Sequence, residues 1–299
     1  MMCNSPDVSV IVPTYNRHHL IKETLDSVLS QTFTNYEIIV VDDASTNKTA
    51  DWIEENYPQV KLIRLIQNRG GAGARNVGVE VASGNLIAFL DHDDQWLPNY
   101  LENQVKTLRE NAYAVLSYCN YKEKYENRLE IEINSQPWHM YQDFFQHLLM
   151  QNCIPSLSIT VIQRQTLIKV GLFNETLKIC NDRELYLRLL YFGNIVHLPK
   201  TLVIKNFHQN NLSKDYWLWS KEVLTLLDIF FSDSRSKSYQ HLESEARSHW
   251  MLKLAKTVWK SNRDVLFVAY MLIKAFYFSP RRINKAFLRR ISLLTATKN

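Results

Sequence analysis

The feature that most constrains the fold of this chain is an alternation of short apolar segments with amphipathic ones across its first part. The apolar segments are rich in β-branched residues and five or six residues long, which is typical of buried strands. Apolar strands separated by helices predict a parallel α/β sheet that is covered on both faces. The predicted strands are Val8–Val12, Tyr36–Val41, Val60–Leu65 and Leu86–Leu90, and the predicted helices lie near 21–29, 50–56 and 74–81.

Polar side chains follow three of these predicted strands, at Tyr15-Asn16, at Asp42-Asp43 and at 91–94. In open α/β sheets, ligands bind beyond the carboxyl ends of the strands. The sequence therefore predicts a binding site at that edge of the sheet. We also expect Asn16 to cap the first helix, because Asn is a favoured N-cap residue.

The third of these polar segments, Asp91-His92-Asp93-Asp94, holds three carboxylates within four residues. Like charges at the end of an apolar strand are costly unless a positive charge joins them. Mg²⁺ or Mn²⁺ is suited to the role, since both prefer carboxylate oxygens. A polar loop that caps the helix predicted near Pro98 explains the same residues, and on this segment alone both hypotheses stay open.

The glycine-rich segment Asn68–Gly78 matches neither of two common phosphate-binding loops. The dinucleotide fingerprint fails because residue 76 is Asn, and no Gly-Lys-Ser/Thr follows as a P-loop requires. What remains is a loop that places Arg75 near a helix N-terminus, where it can face phosphate. The alternative is that the glycines only permit a tight turn.

Composition argues against several other classes. The four cysteines are scattered without a CxxC pair, which argues against a zinc site or a disulfide framework and fits a reducing compartment. The N-terminal residues 1–10 are too polar for a signal peptide, and no apolar run reaches the length of a membrane span. We therefore expect a cytoplasmic protein.

Four motifs occur in order along the first hundred residues: VIVPTYN at 10–16, IIVVDDAS at 38–45, GARNVG at 73–78 and FLDHDD at 89–94. Together they resemble the motifs of family 2 glycosyltransferases with the GT-A fold. The resemblance implies a mixed, mainly parallel sheet flanked by helices, with a helical C-terminal extension. It also implies an inverting enzyme that moves a sugar from a nucleoside-diphosphate-sugar, with UDP-sugars favoured, to a hydroxyl of a saccharide or lipid-linked acceptor.

The same resemblance implies a nucleotide site. Pro13 and Tyr15 belong to the segment that holds the base in this family, with Tyr15 stacked on it, and Asp43, with Asp42, hydrogen-bonds the nucleotide. Arg75 corresponds to a loop arginine that approaches the nucleotide. The alternatives are that Tyr15 is a partly buried aromatic residue at a strand end, and that the two aspartates cap the next helix.

The resemblance also implies a DxD metal motif for Mn²⁺ or Mg²⁺. Asp93 is then the direct metal ligand, while Asp91 lies nearer the ribose and contributes to the metal site. His92 faces the other way on an extended backbone. His208 holds a histidine position that helps bind metal or diphosphate in several relatives, although a lone histidine is more often structural.

The implied general base is Asp182, which would accept the proton of the attacking acceptor hydroxyl. The family usually carries Glu-Asp here, and Asn181 replaces the Glu. Near His208, Lys205 and Asn206 replace the usual Tyr and Arg. The alternative for 181–182 is an N-cap of the helix that holds Leu185, Leu189 and Phe192.

The predicted domains are a catalytic domain, 1–214, and a helical, basic extension, 215–299. The catalytic domain comprises a nucleotide-binding half, 1–110, and an acceptor-side half, 111–214. From residue 260 onward there are nine Lys or Arg against one Asp, whereas the whole chain carries +5. Two hypotheses remain open for 260–299. The segment contacts the inner face of an anionic membrane peripherally, or its helix is simply packed on the catalytic domain.

Two other functions are compatible with parts of the sequence. A catalytically degenerate sugar-nucleotide or glycan-binding protein would explain Asn181 and Asn206. A nucleotidyltransferase would need a loop rich in Lys and Arg early in the chain, and the segment after Pro13 lacks it. No segment resembles a nucleic-acid recognition element, so we expect no nucleic-acid partner.

Overall fold

The computed structural model describes residues 5–125, 128–134, 143–207, 215–261 and 263–280. The chain divides into two compact units, one made of 1–148 with 152–211 and the other of 149–151 with 212–299. The predicted domain boundary at 214/215 borders a segment, 208–214, outside the described residues, and it stays a prediction.

Nine strands of the described residues form a single sheet in the first unit. Val8–Thr14 is buried along its whole length, as its β-branched run predicts, whereas Lys61–Arg64 is at most half-buried. The strands are β1 (Val8–Thr14), β2 (Tyr36–Asp42), β3 (Lys61–Arg64), β4 (Leu86–Phe89), β5 (Gln95–Trp96), β6 (Ala114–Tyr125), β7 (Arg128–Ile133), β8 (Thr160–Gln163) and β9 (Asn194–Phe207).

The strand order is β3-β2-β1-β4-β8-β6-β9-β5, with β7 paired to β6. The pairings of β1 with β2 and β4, and of β2 with β3, are parallel, as is that of β6 with β9. The remaining pairings, β4–β8, β6–β8, β6–β7 and β5–β9, are antiparallel. The predicted mixed α/β sheet is therefore confirmed, and its first four strands pair with one another only in parallel.

The helices of the first unit follow the predicted spacing of apolar residues. The first helix, for example, buries Ile21, Leu25 and Val28 against the core. The helices are α1 (Ile21–Leu29), α2 (Thr49–Asn56), α3 (Gly70–Val81), α4 (Tyr100–Glu110), α5 (Phe144–Met150), α6 (Arg164–Lys169) and α7 (Asn181–Leu189).

Two local predictions were wrong. Asn16 does not cap α1, whose N-cap is Leu20. The side-chain oxygen of Asn16 instead accepts the N–H of Thr46 at 2.9 Å. The glycine-rich segment is not a loop as far as Gly78, because α3 already begins at Gly70. One glycine has a packing role, since a Cβ on Gly78 would lie 2.5 Å from Ile11 Cγ2, so α3 lies directly against β1.

The described residues of the second unit form three further helices, in which Val223, Leu226 and Phe230 are buried. The indole of Trp250, fully buried, donates to the carbonyl of Leu149 at 2.8 Å. Among the described helices, none has the length and apolar character needed to cross a membrane. The helices are α8 (Tyr216–Ser232), α9 (Glu243–Ser261) and α10 (Val265–Phe278), with a 3₁₀ segment at Ser234–Leu242.

Candidate active site

The end of β4 carries an ion pair that joins two of the family motifs. Arg75 Nη2 lies 2.6 Å from Asp91 Oδ1, and the backbone N–H of Asp91 donates to Ser158 Oγ at 3.1 Å. Burial raises the pKa of Asp91, but Arg75 and Lys205 outweigh it, so this pKa lies below its ordinary value. Asp91 is therefore held as a carboxylate at the edge of the sheet where ligands bind.

The third carboxylate of the motif, Asp94, has a raised pKa, in contrast to Asp91. It is 1% exposed, and its Oδ1 accepts the backbone N–H of Asn206 at 3.1 Å. Burial raises the pKa of Asp94 to about 8; Lys205 opposes this rise, and Asp91 and Asp93 add to it. Asp94 is thus mainly protonated at neutral pH, which the sequence motif did not reveal.

Asn206, which stands where the family usually has Arg, fastens this loop to β9. In addition to its bond with Asp94, its side-chain amide donates to the carbonyl of Asp93 at 2.5 Å. The substitution therefore has a structural role, because it fixes the backbone of the DxD segment.

The carboxylates of this loop fit a hard divalent cation when other ligands complete the site. Asp91 and Asp93 offer oxygen donors, and a cation would relieve the mutual repulsion that adds to the raised pKa of Asp94. Within the described ranges no group of three or more His, Cys, Asp or Glu side chains could hold a metal. Mg²⁺ and Mn²⁺ commonly take only one or two carboxylates and share the rest with substrate phosphates and water. His208, the further predicted ligand, lies outside the described residues.

The predicted nucleotide side lies at the end of β1. Tyr15 is 43% exposed there, which leaves ring surface open for stacking, whereas Pro13 is buried. The carbonyl of Pro13 lies 3.3 Å from His92 Nδ1, and burial lowers the pKa of His92. The base-binding role of Pro13 and Tyr15 stays a prediction that this placement allows.

Asp42 and Asp43 are both buried, and both accept backbone hydrogen bonds. Asp43 Oδ1 accepts the N–H of Arg69 at 2.7 Å and Oδ2 that of Gly70 at 2.8 Å, so this carboxylate caps α3. Asp42 Oδ2 accepts the N–H of Ser45 at 3.0 Å. The alternative that the two aspartates cap the next helix, α2, was wrong, since its N-cap is Lys48 and Asp43 caps α3 instead. A contact with the nucleotide stays a prediction.

The predicted base, Asp182, lies in the first turn of α7. Its Oδ1 accepts the N–H of Arg183 at 2.6 Å. Burial raises the pKa of Asp182, against the opposing effects of Arg183, Lys205 and Arg75. The N-cap alternative was wrong, because the N-cap is Cys180. Asn181 instead donates to the carbonyls of Leu177 and Lys178 at 3.2 and 3.1 Å, which closes the turn before the helix.

Arg75 and Lys205 connect the two predicted parts of the site. Both cations lower the pKa of Asp91, and both lower that of Asp182. The carboxylate at the end of β4 and that in α7 therefore lie in the field of the same two side chains. Sequence reasoning missed Ser158, whose Oγ accepts the backbone N–H of Asp91.

A second set of contacts joins α3 to the segment that leads into α7. Asn76 Nδ2 donates to the carbonyl of Phe173 at 3.0 Å, and Asn76 Oδ1 accepts the N–H of Phe173 at 2.9 Å. Arg69 Nη2 lies 2.5 Å from Glu175 Oε1. The glycine-rich motif therefore positions the backbone that precedes Asp182 as well as Arg75.

Comparison with known proteins gives the same family as the sequence motifs. The family model for glycosyl transferase family 2 matches residues 9–173. The chain is 30% identical over 235 residues to the UDP-Glc:alpha-D-GlcNAc-diphosphoundecaprenol beta-1,3-glucosyltransferase WfgD of Escherichia coli, covering 78% of this chain and 89% of WfgD. It is 40% identical over 119 residues to the putative teichuronic acid biosynthesis glycosyltransferase TuaG of Bacillus subtilis, covering 39% of this chain and 47% of TuaG.

Two solved structures share the fold at low sequence identity. TarS 1–349 of S. aureus, in complex with UDP-GlcNAc, aligns with a TM-score of 0.62 and 19% identity, covering 90% of this chain and 89% of that one. The mannosyltransferase PcManGT from Pyrobaculum calidifontis, in complex with GDP-Man and Mn²⁺, gives 0.60 and 20%, covering 94% and 83%. These similarities confirm the predicted GT-A fold. With a family model that matches more than half of its residues, the chain belongs to glycosyl transferase family 2 and is a glycosyltransferase.

Proposed function

We propose that this enzyme transfers a sugar, with inversion, from a nucleoside-diphosphate-sugar to a hydroxyl of a saccharide or lipid-linked acceptor, with Asp182 as the general base. The observation that carries the proposal is the shared field of Arg75 and Lys205, which act on both Asp91 and Asp182. A donor diphosphate near Asp91 would place its anomeric carbon within the region that Asp182 serves. A single cluster would thus bind the donor and activate the acceptor.

In this reaction the acceptor oxygen forms a bond to the anomeric carbon as the bond to the diphosphate oxygen breaks. Asp182 takes the hydroxyl proton, and the nucleoside diphosphate leaves with the bonding electron pair. Because Arg183 N–H holds Asp182 Oδ1, we assign proton acceptance to Oδ2. The burial that raises the pKa of Asp182 also makes its carboxylate a stronger base.

The DxD carboxylates would hold the metal ion, Mn²⁺ or Mg²⁺, through Asp93 and Asp91. When bound, such an ion neutralises charge on the departing diphosphate. Arg75, held by Asp91, would supply a further positive charge toward the same group. His208 remains a proposed contributor from sequence alone.

The names of the relatives support the substrate classes. WfgD, by its name, uses UDP-Glc and a diphosphoundecaprenol-linked acceptor, and the TarS structure contains UDP-GlcNAc. We therefore favour a UDP-sugar donor and a lipid-linked acceptor, with the enzyme at the cytoplasmic face of a membrane. PcManGT binds GDP-Man, so the same fold also accommodates a purine donor.

The first experiment is thermal stabilisation of the purified protein by UDP, GDP and dTDP, with and without Mn²⁺. A ligand that binds the native state raises its apparent stability. A metal-dependent shift with one nucleotide, absent in Asp93→Ala, would support the donor site and identify the base.

Turnover then separates transfer from the rival binding function. Release of the nucleoside diphosphate from that base's sugars, with polyprenyl-diphosphate saccharides as acceptors, should depend on Asp182. Nucleotide binding without release in any acceptor screen would favour the degenerate binding protein. No nucleotide binding by a folded sample would overturn the donor site itself.

A further inference from the structure

The C-terminal helix α10 presents an unusual surface. Eight of its residues are exposed, and every one of them is apolar or aromatic. At about 100° per residue, they occupy a single arc of roughly 160° on the helix surface. The exposed residues are Val265, Leu266, Ala269, Tyr270, Leu272, Ile273, Phe276 and Tyr277.

The opposite side of α10 is packed within the same unit. Phe267, Met271 and Ala275 are at most 1% exposed, so the helix has a defined orientation and the apolar arc is a real face of it. Trp217 on α8 extends this face: it is 48% exposed, and its ring lies 5.8 Å from that of Tyr270. Contiguous apolar patches of this kind mark interaction surfaces.

In the sequence, basic residues both precede and follow α10. Lys260 and Arg263 are exposed before the helix, and the segment 281–299 that follows contains six Lys or Arg and no acidic residue. The acidic residue of this region, Asp264, caps the N-terminus of α10, where its Oδ1 accepts the N–H of Phe267 at 2.9 Å. α10 itself carries the charged side chain of Lys274, whose Nζ lies 4.8 Å from the ring centre of Tyr270.

We propose that the α10 face, defined as the eight exposed residues of α10 with Trp217, docks the enzyme on an anionic phospholipid surface. The apolar residues enter the interface, while the flanking cations meet lipid phosphates. Exposed Trp and Tyr suit the headgroup layer, because their rings are apolar with one polar end. The 14 residues of α10 are too few to span a bilayer, which needs about 20.

Charge decides between this occupant and a second copy of the chain. A symmetric dimer across the α10 face would bring the same patch of each copy against itself, and hence cations near cations. An anionic bilayer complements both the apolar arc and its flanks. The proposal goes beyond sugar transfer, since docking requires neither donor nor acceptor.

The test is co-sedimentation of the full chain with two kinds of vesicle, without substrates. One contains phosphatidylglycerol with phosphatidylethanolamine, and the other is pure phosphatidylcholine. We expect binding to the anionic vesicles that weakens as salt rises from about 0.1 M to about 1 M, where the Debye length falls to about 3 Å. The double variant Leu266→Gln/Ile273→Gln should bind about tenfold less tightly or worse.

A matched control removes two equally exposed apolar residues elsewhere. Leu266 and Ile273 are 81% and 69% exposed, whereas Ile66 and Tyr113, in the first unit, are 97% and 82% exposed. Ile66→Gln/Tyr113→Gln should bind vesicles like the parent. Both double variants should keep the parental melting temperature, since the replaced side chains are exposed.

Three results would overturn the proposal. The first is equal binding of the Leu266→Gln/Ile273→Gln variant and the parent. The second is equal binding to neutral and anionic vesicles. The third is a parent that is dimeric by light scattering and becomes monomeric in this variant, which would assign the α10 face to a second copy of the chain.

Discussion

Arg75 Nη2 and Asp91 Oδ1, 2.6 Å apart, join α3 to the end of β4 through side chains that are 12% and 29% exposed. Arg75→Gln should therefore lower stability by about 2 kcal/mol, less than a fully buried pair would lose. It should also weaken nucleotide affinity about tenfold, because a charge-assisted contact is lost. Thermal melting and calorimetric titration with the identified nucleotide measure the two effects.

The pH dependence of this stability loss gives a further check. Because the pKa of Asp91 is lowered in the folded protein, its stabilisation is fully present above the ordinary carboxyl pKa and is lost as pH falls from there through the lower pKa of the folded state. The difference between parent and Arg75→Gln should thus shrink below about pH 4. Arg64→Gln is the control, since Arg64 forms exposed pairs with Asp51 and Glu54, and it should cost at most about 1 kcal/mol.

Replacing the proposed base should separate chemistry from binding. Asp182→Asn keeps the size and one oxygen of the side chain, so kcat should fall by about 10²–10⁴-fold while donor affinity changes little. Steady-state kinetics and nucleotide titration measure these separately. An unchanged kcat would remove Asp182 from the mechanism, whereas a loss of nucleotide affinity alone would assign it to the donor site.

The raised pKa of Asp182 has opposite consequences for activity and stability. Activity needs the carboxylate, so kcat should decline on the acid side at a higher pH than an ordinary Asp pKa of about 3.9 would give. Stability suffers from the buried charge, so Asp182→Asn should melt at or above the parental temperature at pH 7. That advantage should vanish below the unfolded-state pKa, where both states are protonated. A variant that melts lower than the parent at pH 7 would show that the charge is stabilising.

Asp43 should prove important for stability even without nucleotide. Its carboxylate caps α3 through the N–H groups of Arg69 and Gly70, so Asp43→Ala should cost about 1–2 kcal/mol. Asp43→Asn retains one oxygen acceptor and should lose less. Chemical denaturation of the nucleotide-free protein measures both, and equal losses would show that the second oxygen matters as much as the first.

Gly78 is expected to tolerate no side chain. A Cβ there would meet Ile11 Cγ2 at 2.5 Å, so Gly78→Ala should destabilise by about 1–3 kcal/mol despite the better helix propensity of Ala. Gly71→Ala, in the same helix, would meet only the end of the Arg75 side chain, at 3.1 Å, and should be neutral or slightly stabilising. Urea unfolding measures the free energy of unfolding of the two variants. Equal values for both would contradict the packing role of Gly78.

The sequence predicted the first four strands and the first three helices of the first unit well, because each apolar strand and amphipathic helix there has a local pattern. Leu86–Leu90, for example, was predicted as a strand, and β4 covers Leu86–Phe89. The antiparallel pairing of β4 with β8 had no such signal, since it joins segments more than seventy residues apart. Strand order in the second half therefore required the structure.

For the candidate site, the motif residues lie at the sheet edge where they were expected, but their roles depend on distant partners. The pattern DHDD gives no sign that Asp94 is buried, and it is this burial that raises the pKa of Asp94 to about 8. Likewise, Asp43 caps a helix more than two dozen residues further along the chain. Such roles are set by tertiary contacts, and a single sequence does not encode them in any short pattern.

The paired hydrogen bonds between Asn76 and Phe173 have a consequence for protein engineering. They join the predicted nucleotide-binding half, 1–110, to the segment just before α7, because the Asn76 amide pairs with both the carbonyl and the N–H of Phe173. In a chimera, residues 1–110 could be exchanged for those of a relative with another donor preference. The residue at position 76 would then come from the relative, while Phe173, its hydrogen-bond partner, would still come from this chain. Donor specificity in this enzyme is therefore best transplanted as two noncontiguous pieces, since either piece alone would displace the backbone that leads to Asp182.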